Sequence, residues 1–345
     1  MVFSKSLIHW YSNNKRDFPW RKTKDPYYIW LSEIILQQTQ VKQGLPYYEA
    51  FVIAYPNVFE LANASESEVL KLWQGLGYYS RARNLHVTAK FVAFELKGEF
   101  PNTYKELLKL KGVGDYTASA IASICFNETQ AVVDGNVYRL LSRYFGIETP
   151  INSTKGIKEF KKLAQELIDK NNPAEFNQAI MEFGATQCKP KNPDCSICPF
   201  NGSCAALQKK MIDKLPAKQK TVKVKRRYFN FLVFVSKNGK TILEKRKTKG
   251  IWQNLYQFPL IESDIPLDYK RFKPMVSSHH LLNGNYKLSL YNEEDIIHKL
   301  SHQYLYTKFW IVQVENLSEK YIDINRVKNF AVPVLIDNFL KSFNF

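Results

Sequence analysis

No stretch of this sequence is apolar for long enough to cross a bilayer. The longest apolar run, near Phe229–Val235, stops far short of the roughly 20 residues that a spanning helix needs. The opening residues, Met1 to Trp20, lack the apolar core and small-residue cleavage site of a secretory signal. A cytoplasmic, nucleoid-associated protein without membrane contact is therefore expected. Internal repeats and low-complexity tracts are also missing, which excludes a solenoid or a fibrous chain. Acidic residues are in short supply, 32 against 49 Lys and Arg. The resulting charge of +17 makes a polyanion the expected partner, with nucleic acid the first candidate. Cysteine is sparse as well. Of five, Cys125 lies among small helical residues and reads as core, while the other four gather in one Pro-rich loop. In a reducing compartment such a cluster points to metal rather than to disulfides.

What is present divides in two. A length of 345 residues allows two or three domains. Up to about residue 210 helical periodicity dominates, as in Glu68–Trp73, Ala82–Phe94 and Ile157–Ile168, with Pro56, Pro101, Pro150 and Pro173 between segments. Lys209–Arg227 is dense in Lys and Arg and reads as an exposed basic linker. Beyond it come short runs of aromatic and β-branched residues: Tyr228–Val235, Lys240–Arg246, Tyr286–Tyr291 and Lys308–Val314. Asn238-Gly239 and Asn283-Gly284 supply turn signals. Asp295–Leu300 and Val332–Leu340 read as helices. The expected fold class is thus multidomain, an all-α part followed by a smaller α/β part.

Four features carry chemistry. Glu33 sits in a helical pattern that places Trp30, Glu33, Gln37 and Gln40 on one face, among apolar neighbours. Burial there raises a carboxyl pKa, as a general acid working near neutral pH requires. Gln37 and Gln38 have side chains of a size that can enter a base stack. In Gly75–Asn84, glycines, two tyrosines and two arginines interleave, which suits stacking on bases and pairing with phosphates. Gly112-Val113-Gly114 follows a short helix over Thr103–Leu110. Its glycines permit a turn that offers amides, with the start of the next helix, to a phosphate. Val113 would plug that turn onto the core, and Ala118, Ser119, Ala120 and Ala122 allow close helix packing. Asp134 precedes Val137–Leu141 as a good N-cap, a position that also fixes a second carboxylate. Cys188, Cys195, Cys198 and Cys204 have six, two and five residues between them. Four thiolates hold either zinc or a [4Fe-4S] cluster, and spacing alone does not choose.

In this order the motifs resemble the endonuclease III superfamily of helix-hairpin-helix DNA glycosylases, and within it the MutY-type adenine DNA glycosylases. The resemblance rests on Pro26-Tyr27, Trp30–Glu33, Leu36–Val41, Leu72-Trp73, Gly75–Tyr79, Arg81–Leu85, Gly112–Gly114, Asp134–Val137, Phe176–Gln178, Gly184-Ala185 and the four cysteines, and covers essentially residues 10–205. It implies a helical catalytic domain over 1–208, with a six-helix barrel at roughly 22–130 and an iron–sulfur subdomain from 1–21 plus 131–208. A basic linker at 209–227 and a Nudix-like domain over 228–345 would follow. The implied reaction is removal of adenine opposite 8-oxoguanine or guanine, after the adenine flips out of the duplex.

By that resemblance Glu33 protonates the purine and Asp134 stabilises the oxocarbenium-like sugar, two carboxylates in different protonation states. Tyr116 stands where bifunctional relatives carry a Schiff-base lysine, so a monofunctional glycosylase is expected. Tyr116 and Asn136 would assist Asp134 and the attacking water. Trp20, Arg21, Leu36 and Glu182 would line the adenine pocket. Gln38 or Gln37, and Tyr78, would enter the stack, and Gly112, Val113 and Gly114 would hold a phosphate. The resemblance makes the four-cysteine cofactor a [4Fe-4S] cluster. Lys249–Pro259 looks like the start of the 8-oxoguanine domain, in which Ser301 and His302, within His298–His302, would read the lesion. Leu300 stands where the family often has Phe, and Lys111 where it often has Pro. No Gly-x5-Glu-x7-Arg-Glu box is present, so pyrophosphate hydrolysis is not expected. The expected partners are lesion-containing double-stranded DNA and repair proteins docking on the linker, and the expected state is a monomer.

Overall fold

The computed structural model describes residues 2–219, 224–282, 284–317 and 321–343. Asn283, on which one expected turn falls, and residues 220–223 of the expected linker lie outside them. By contacts the chain forms two compact units. One comprises residues up to 63 and from 84 to 219. The other joins residues 64–83 to the described residues from 224 onward.

The first unit is helical. It contains α1 (Val2–Asn14), α2 (Pro26–Leu36), α3 (Val41–Ala54) and α4 (Val58–Asn63). Next in the chain, α5 (Glu66–Leu72) and the turn after it pack with the second unit. Then follow α6 (Ser80–Lys90), α7 (Tyr104–Leu107), α8 (Asp115–Phe126), α9 (Gly135–Phe145), α10 (Thr154–Leu167), α11 (Pro173–Thr186) and the short α12 (Ala205–Gln208). Side-chain caps set several of the starts. Asp25 accepts from Tyr27 N ahead of Pro26 in the first helical position, and Ser153 accepts from Gly156 N. Each such cap stabilises its helix by about 1 kcal/mol. A π-helical turn, Phe91–Glu95, ends α6 and absorbs the rest of the helix expected there.

Burial orders these helices around α2. Ile29, Trp30, Leu31, Ile34 and Ile35 are all buried, so α2 is apolar nearly all round and runs through the core. Helix α8 packs on it, with Ala118, Ala120, Ile121 and Ala122 buried. The α9–α11 approach depends on Gly184. A Cβ there would lie 2.7 Å from Asn136 Cβ and 2.7 Å from its carbonyl oxygen.

In the second unit, β1 (Lys225–Ser236) precedes β2 (Lys240–Thr241), β3 (Glu244–Lys245), β4 (Tyr256–Gln257) and β5 (Leu260–Ser263). Helix α13 (Tyr269–Ser277), β6 (Tyr286–Leu290), β7 (Ile296–Lys299), β8 (Gln303–Val314), β9 (Ile322–Asp323) and α14 (Val334–Ser342) complete it. The main sheet runs β5-β1-β8-β6, with β7 also on β8. β1 and β8 are parallel, from Lys225↔Gln303 to Ser236↔Val314, and the other pairs in this sheet are antiparallel. A parallel pair of this kind is buried on both faces. Phe272 of α13 stacks on Trp310 on one face, and Phe339 of α14 stacks on Phe309 on the other.

Two local expectations change. Asp295–Leu300 is not a helix: Ile296–Lys299 pairs with β8 in the register Ile296↔Thr307 to Lys299↔Tyr304. Six residues make a poor helix nucleus, and β8 offers them a complete hydrogen-bonding edge. Helix α13 was not anticipated. Its signals are Asp268 capping Arg271 N and the buried pair Phe272 and Val276, and Pro274 within it hides them. The basic stretch after α12 is anchored over part of its length. Leu215 is buried, and Ile151 N donates to Ala217 O at 3.0 Å. Among the described residues no helix is long and apolar enough to cross a membrane.

Candidate active site

Within the first unit, α2, α8, α9, α11 and the 310 turn Pro19–Arg21 close around a cavity of about 170 Å³. It brings together Glu33, Tyr116, Asp134 and Asn136 with Trp20, Arg21, Leu36 and Glu182. Met181, Gln178 and Arg16 also face it.

Glu33 is buried on α2, and burial pushes its carboxyl pKa up to about 7. A hydrogen bond from Tyr116 and the charge of Arg21 pull down, while Asp134 adds to the rise. The Tyr116 hydroxyl also lies 3.0 Å from Met181 Sδ. The phenol thus has two acceptors within reach, the Glu33 carboxyl and the Met181 thioether. Burial, with Glu33 and Asp134 beside it, holds the Tyr116 phenol well above its usual range.

Asp134 is the N-cap of α9. Its Oδ1 accepts from Asn136 N at 2.9 Å and Val137 N at 2.8 Å, and its Oδ2 accepts from Asn136 Nδ2 at 2.7 Å. Burial raises its pKa, and these three donors with Arg139 oppose the rise. Donors aimed at both oxygens favour the carboxylate, as does the start of a helix. The two acids thus differ in setting. At Glu33 desolvation outweighs the Tyr116 hydrogen bond and the Arg21 charge, while Asp134 has three hydrogen-bond donors and Arg139 favouring its charged form. Arg139 supports the arrangement from behind, donating to Asn136 Oδ1 at 2.9 Å and to Cys188 O at 2.8 Å.

The opposite wall carries charge pairs. Glu182, only 2% exposed, accepts from Arg16 at 2.6 and 2.9 Å and from Arg21 at 2.7 Å. Burial acts to raise its pKa, and the two guanidinium groups overcome that, leaving it below the usual carboxylate range. Trp20 is buried next to this pair. Arg16, Gln178 and Met181 were not among the sequence candidates. Gln178 lay inside a quoted motif, but Arg16 carries no signal until Glu182 is seen beside it.

The glutamines separate. α2 ends at Leu36, so Gln37 and Gln40 do not continue the Glu33 face: Gln37 caps α2 and Gln40 caps α3. Gln37 Nε2 donates to Thr117 Oγ1 at 3.2 Å, whereas Gln38 is exposed with φ of 53°. The hairpin turn forms as expected. Gly112 has φ of 80°, and a Cβ there would meet Asn84 Cβ at 2.7 Å, so only glycine fits. Val113 is buried, and Gly114 is the N-cap of α8 with open space where a Cβ would lie. Lys161 braces this region, donating to Asp115 Oδ2, Ser119 Oγ and Ala131 O at 2.8–3.0 Å.

In the second unit, Tyr78 is 49% exposed with φ of 46°, in the turn between α5 and α6. Ser301 and His302 lie exposed in the β7–β8 hairpin, closed by Leu300 N donating to Gln303 O at 2.9 Å. Ser301 Oγ is 3.2 Å from His302 Nδ1.

The four expected cysteine ligands line one cavity of about 30 Å³. Among the described residues no group of three His, Cys, Asp or Glu is drawn close enough to hold a single metal ion. Their surroundings still fit an anionic group. Arg143, 2% exposed, lies 3.5 Å from Cys188 Sγ, and its hydrogen bonds go to the carbonyls of Lys189, Pro190 and Leu215. A buried cation satisfied by carbonyls suits an anionic thiolate centre beside it.

A two-glycine hairpin ahead of a helix, two carboxylates across one cavity and a four-cysteine loop together define a helix-hairpin-helix DNA-repair protein. The profile described as HhH-GPD superfamily base excision DNA repair protein matches residues 31–170, and the iron-sulfur binding domain of endonuclease III matches residues 188–204. The NUDIX domain matches residues 230–342, so the smaller β-rich part is Nudix-like. The adenine DNA glycosylase of Buchnera aphidicola subsp. Baizongia pistaciae is 37% identical over 322 residues, 90% of this chain and 86% of that one. That of Buchnera aphidicola subsp. Schizaphis graminum is 38% identical over 265 residues, 76% of each chain. A solved thermostable thymine-DNA glycosylase is 32% identical with a TM-score of 0.56, covering 60% of this chain and 96% of that one. Within the HhH-GPD superfamily, the chain belongs to the adenine DNA glycosylase family.

Proposed function

We propose that the protein excises adenine paired with 8-oxoguanine, or with guanine, from double-stranded DNA by hydrolysing the N-glycosidic bond. The observation that carries this reading is the pairing of carboxylates across one cavity, with Glu33 raised to about 7 and Asp134 held by three donors. A glycosidic cleavage with a poor leaving group needs this division of labour.

The adenine flips into the cavity, against Trp20 and Leu36, with Glu182 positioned by Arg16 and Arg21 to meet its polar edge. Glu33 gives its proton to a purine ring nitrogen. The bond from that base to the sugar's anomeric carbon breaks, and its electron pair leaves with the adenine. The ionised Asp134 stabilises the cationic sugar, and Asn136 and Tyr116 help place the water, whose oxygen bonds to the same carbon and whose released proton returns to the Glu33 carboxylate. Neutral adenine and an abasic site are the products. Tyr116 offers no amine for an imine, so strand cleavage does not follow.

The hairpin Gly112–Gly114 holds a backbone phosphate. Gln38 and Tyr78, both with positive φ, enter the stack, and Ser301 and His302 read the base opposite. Cys188, Cys195, Cys198 and Cys204 would hold a [4Fe-4S] cluster, which supplies a structural tie for the loop that follows α11. The protein works as a monomer on DNA, with the basic stretch before β1 available to repair partners.

The test is a duplex with adenine opposite 8-oxoguanine, incubated with iron-loaded protein and then treated with alkali. Cleavage at the adenine position is expected with wild type and not with Glu33→Gln. An intact adenine strand with well-folded wild type refutes the assignment. A strong borohydride-trapped protein–DNA adduct refutes the monofunctional mechanism.

A further inference from the structure

Residues 64–83 lie among the helices in sequence but pack as part of the second unit. The contacts are specific and polar. Gln74 makes two of them: Nε2 donates to Asp337 Oδ1 at 2.9 Å, and Oε1 accepts from Val332 N at 3.2 Å. Lys71 Nζ donates to Phe330 O at 3.2 Å and to the same Gln74 Oε1 at 3.1 Å. The Tyr79 hydroxyl donates to Val332 O at 3.3 Å. At the other end of the segment Asn254 Nδ2 donates to Glu66 Oε1 at 2.7 Å, and Arg83 Nη1 to Gln253 O at 2.9 Å. Tyr79 and Val332 are buried, so the bond between them is shielded from competing water, while the others are partly buried.

Tyr78 sits between two of the anchored residues, Gln74 and Tyr79. Its own side chain stays half exposed, and its backbone is held in the left-handed region. The unit that grips this turn is the one that carries Ser301 and His302. The fold therefore puts two of the expected lesion-contacting elements, the Tyr78 turn and the Ser301–His302 loop, in one body, and Gln38 with Glu33, Tyr116 and Asp134 in the other.

We propose that Gln74 is a positioning residue for lesion recognition: its hydrogen bonds to Val332 and Asp337 fix the Tyr78 turn to the body that carries the Ser301–His302 loop. The inference rests on the proposed function, in which Tyr78 enters the stack and His302 reads the opposite base. The turn and the loop then engage DNA as one piece. Releasing the turn weakens 8-oxoguanine recognition and leaves the bond-breaking groups untouched.

Two variants of the full-length, iron-loaded protein separate the hydrogen bonds from mere bulk. Gln74→Met removes both bonds at nearly constant volume. Gln74→Glu with Asp337→Asn reverses donor and acceptor and keeps them, with Val332 N still donating to residue 74. The readouts are single-turnover adenine release from adenine:8-oxoguanine and adenine:guanine duplexes, and the fluorescence of 2-aminopurine next to the lesion. Gln74→Met should lower the rate preference for 8-oxoguanine on the order of 10-fold. It should also weaken the unstacking signal and leave the adenine:guanine rate at saturating protein within about 2-fold. The double variant should recover wild-type preference. Asn254→Gly, which keeps the left-handed backbone and removes the bond to Glu66, should shift the preference in the same direction by less. It also serves as the breaking variant should Gln74→Met melt early. An unchanged preference in the breaking variant, parallel loss on both duplexes, or a double variant that behaves like Gln74→Met overturns the proposal. Wild type without any preference for 8-oxoguanine would instead refute the function on which it rests.

Discussion

Replacing Glu33 by Gln should make the protein more stable while ending its activity, and the gain should appear only as pH rises. The carboxyl moves from 4.5 to about 7 on folding, chiefly through burial. The folded state thus holds a proton that the unfolded state has released. Below 4.5 both states are protonated and the shift has no effect. Between 4.5 and 7 stability falls as pH rises, and above 7 the whole penalty is present. A difference of about 2.5 in pKa corresponds to roughly 3 kcal/mol. Gln has the size of Glu and no proton to lose. Asp134 titrates in both proteins and cancels to first order. The melting temperature of Glu33→Gln should therefore pull ahead of wild type by roughly 5–10 °C between about pH 5 and pH 8.5. Thermal melts of both proteins across that range provide the measurement, with adenine release followed in parallel. Wild-type activity should decline as pH passes above about 7, where Glu33 loses its proton. A melting difference that does not change with pH would show that Glu33 is not the desolvated acid described here.

Two further substitutions probe neighbouring groups. Asp134→Asn keeps a good N-cap on α9 and loses the bond from Asn136 Nδ2, so urea melts should show a loss of only about 1–2 kcal/mol. Single-turnover adenine release should fall on the order of 1000-fold, and a rate near wild type would remove the sugar-stabilising role. Gly184→Ala drives a methyl group into Asn136, the residue that donates to Asp134. Stability should drop by about 1–3 kcal/mol, and catalysis should drop with it, whereas unaffected kinetics would show that α9 has room to shift.

Legibility in the sequence followed how local each signal is. Asp134 was readable as a cap because three residues decide it, and that cap now fixes the carboxylate. Gly112 was readable because a turn without a Cβ leaves a short signature, although Asn84, the side chain that excludes a Cβ, lies far away in the chain. The cysteine spacing marked a thiolate site and could not say that buried Arg143 would stand beside Cys188. The Arg16–Glu182 pair spans 166 residues and has no pattern to reveal it. Ile296–Lys299 was misread because a short run takes its conformation from its neighbour, here β8. Which body α5 packs with was equally hidden, since its own sequence is that of an ordinary capped helix.

That packing also sets an order of events during synthesis. Gln74 meets Val332 and Asp337 across 258 and 263 residues. At ribosomal speeds of about 5–20 residues per second, those partners emerge roughly 10–50 seconds after Gln74 does. Helices whose partners are nearer in the chain can assemble in that interval. The Tyr78 turn must wait, and its anchoring is complete only when α14 has been made. A prematurely terminated chain would then keep Glu33, Tyr116 and Asp134 without the contacts that fix this turn.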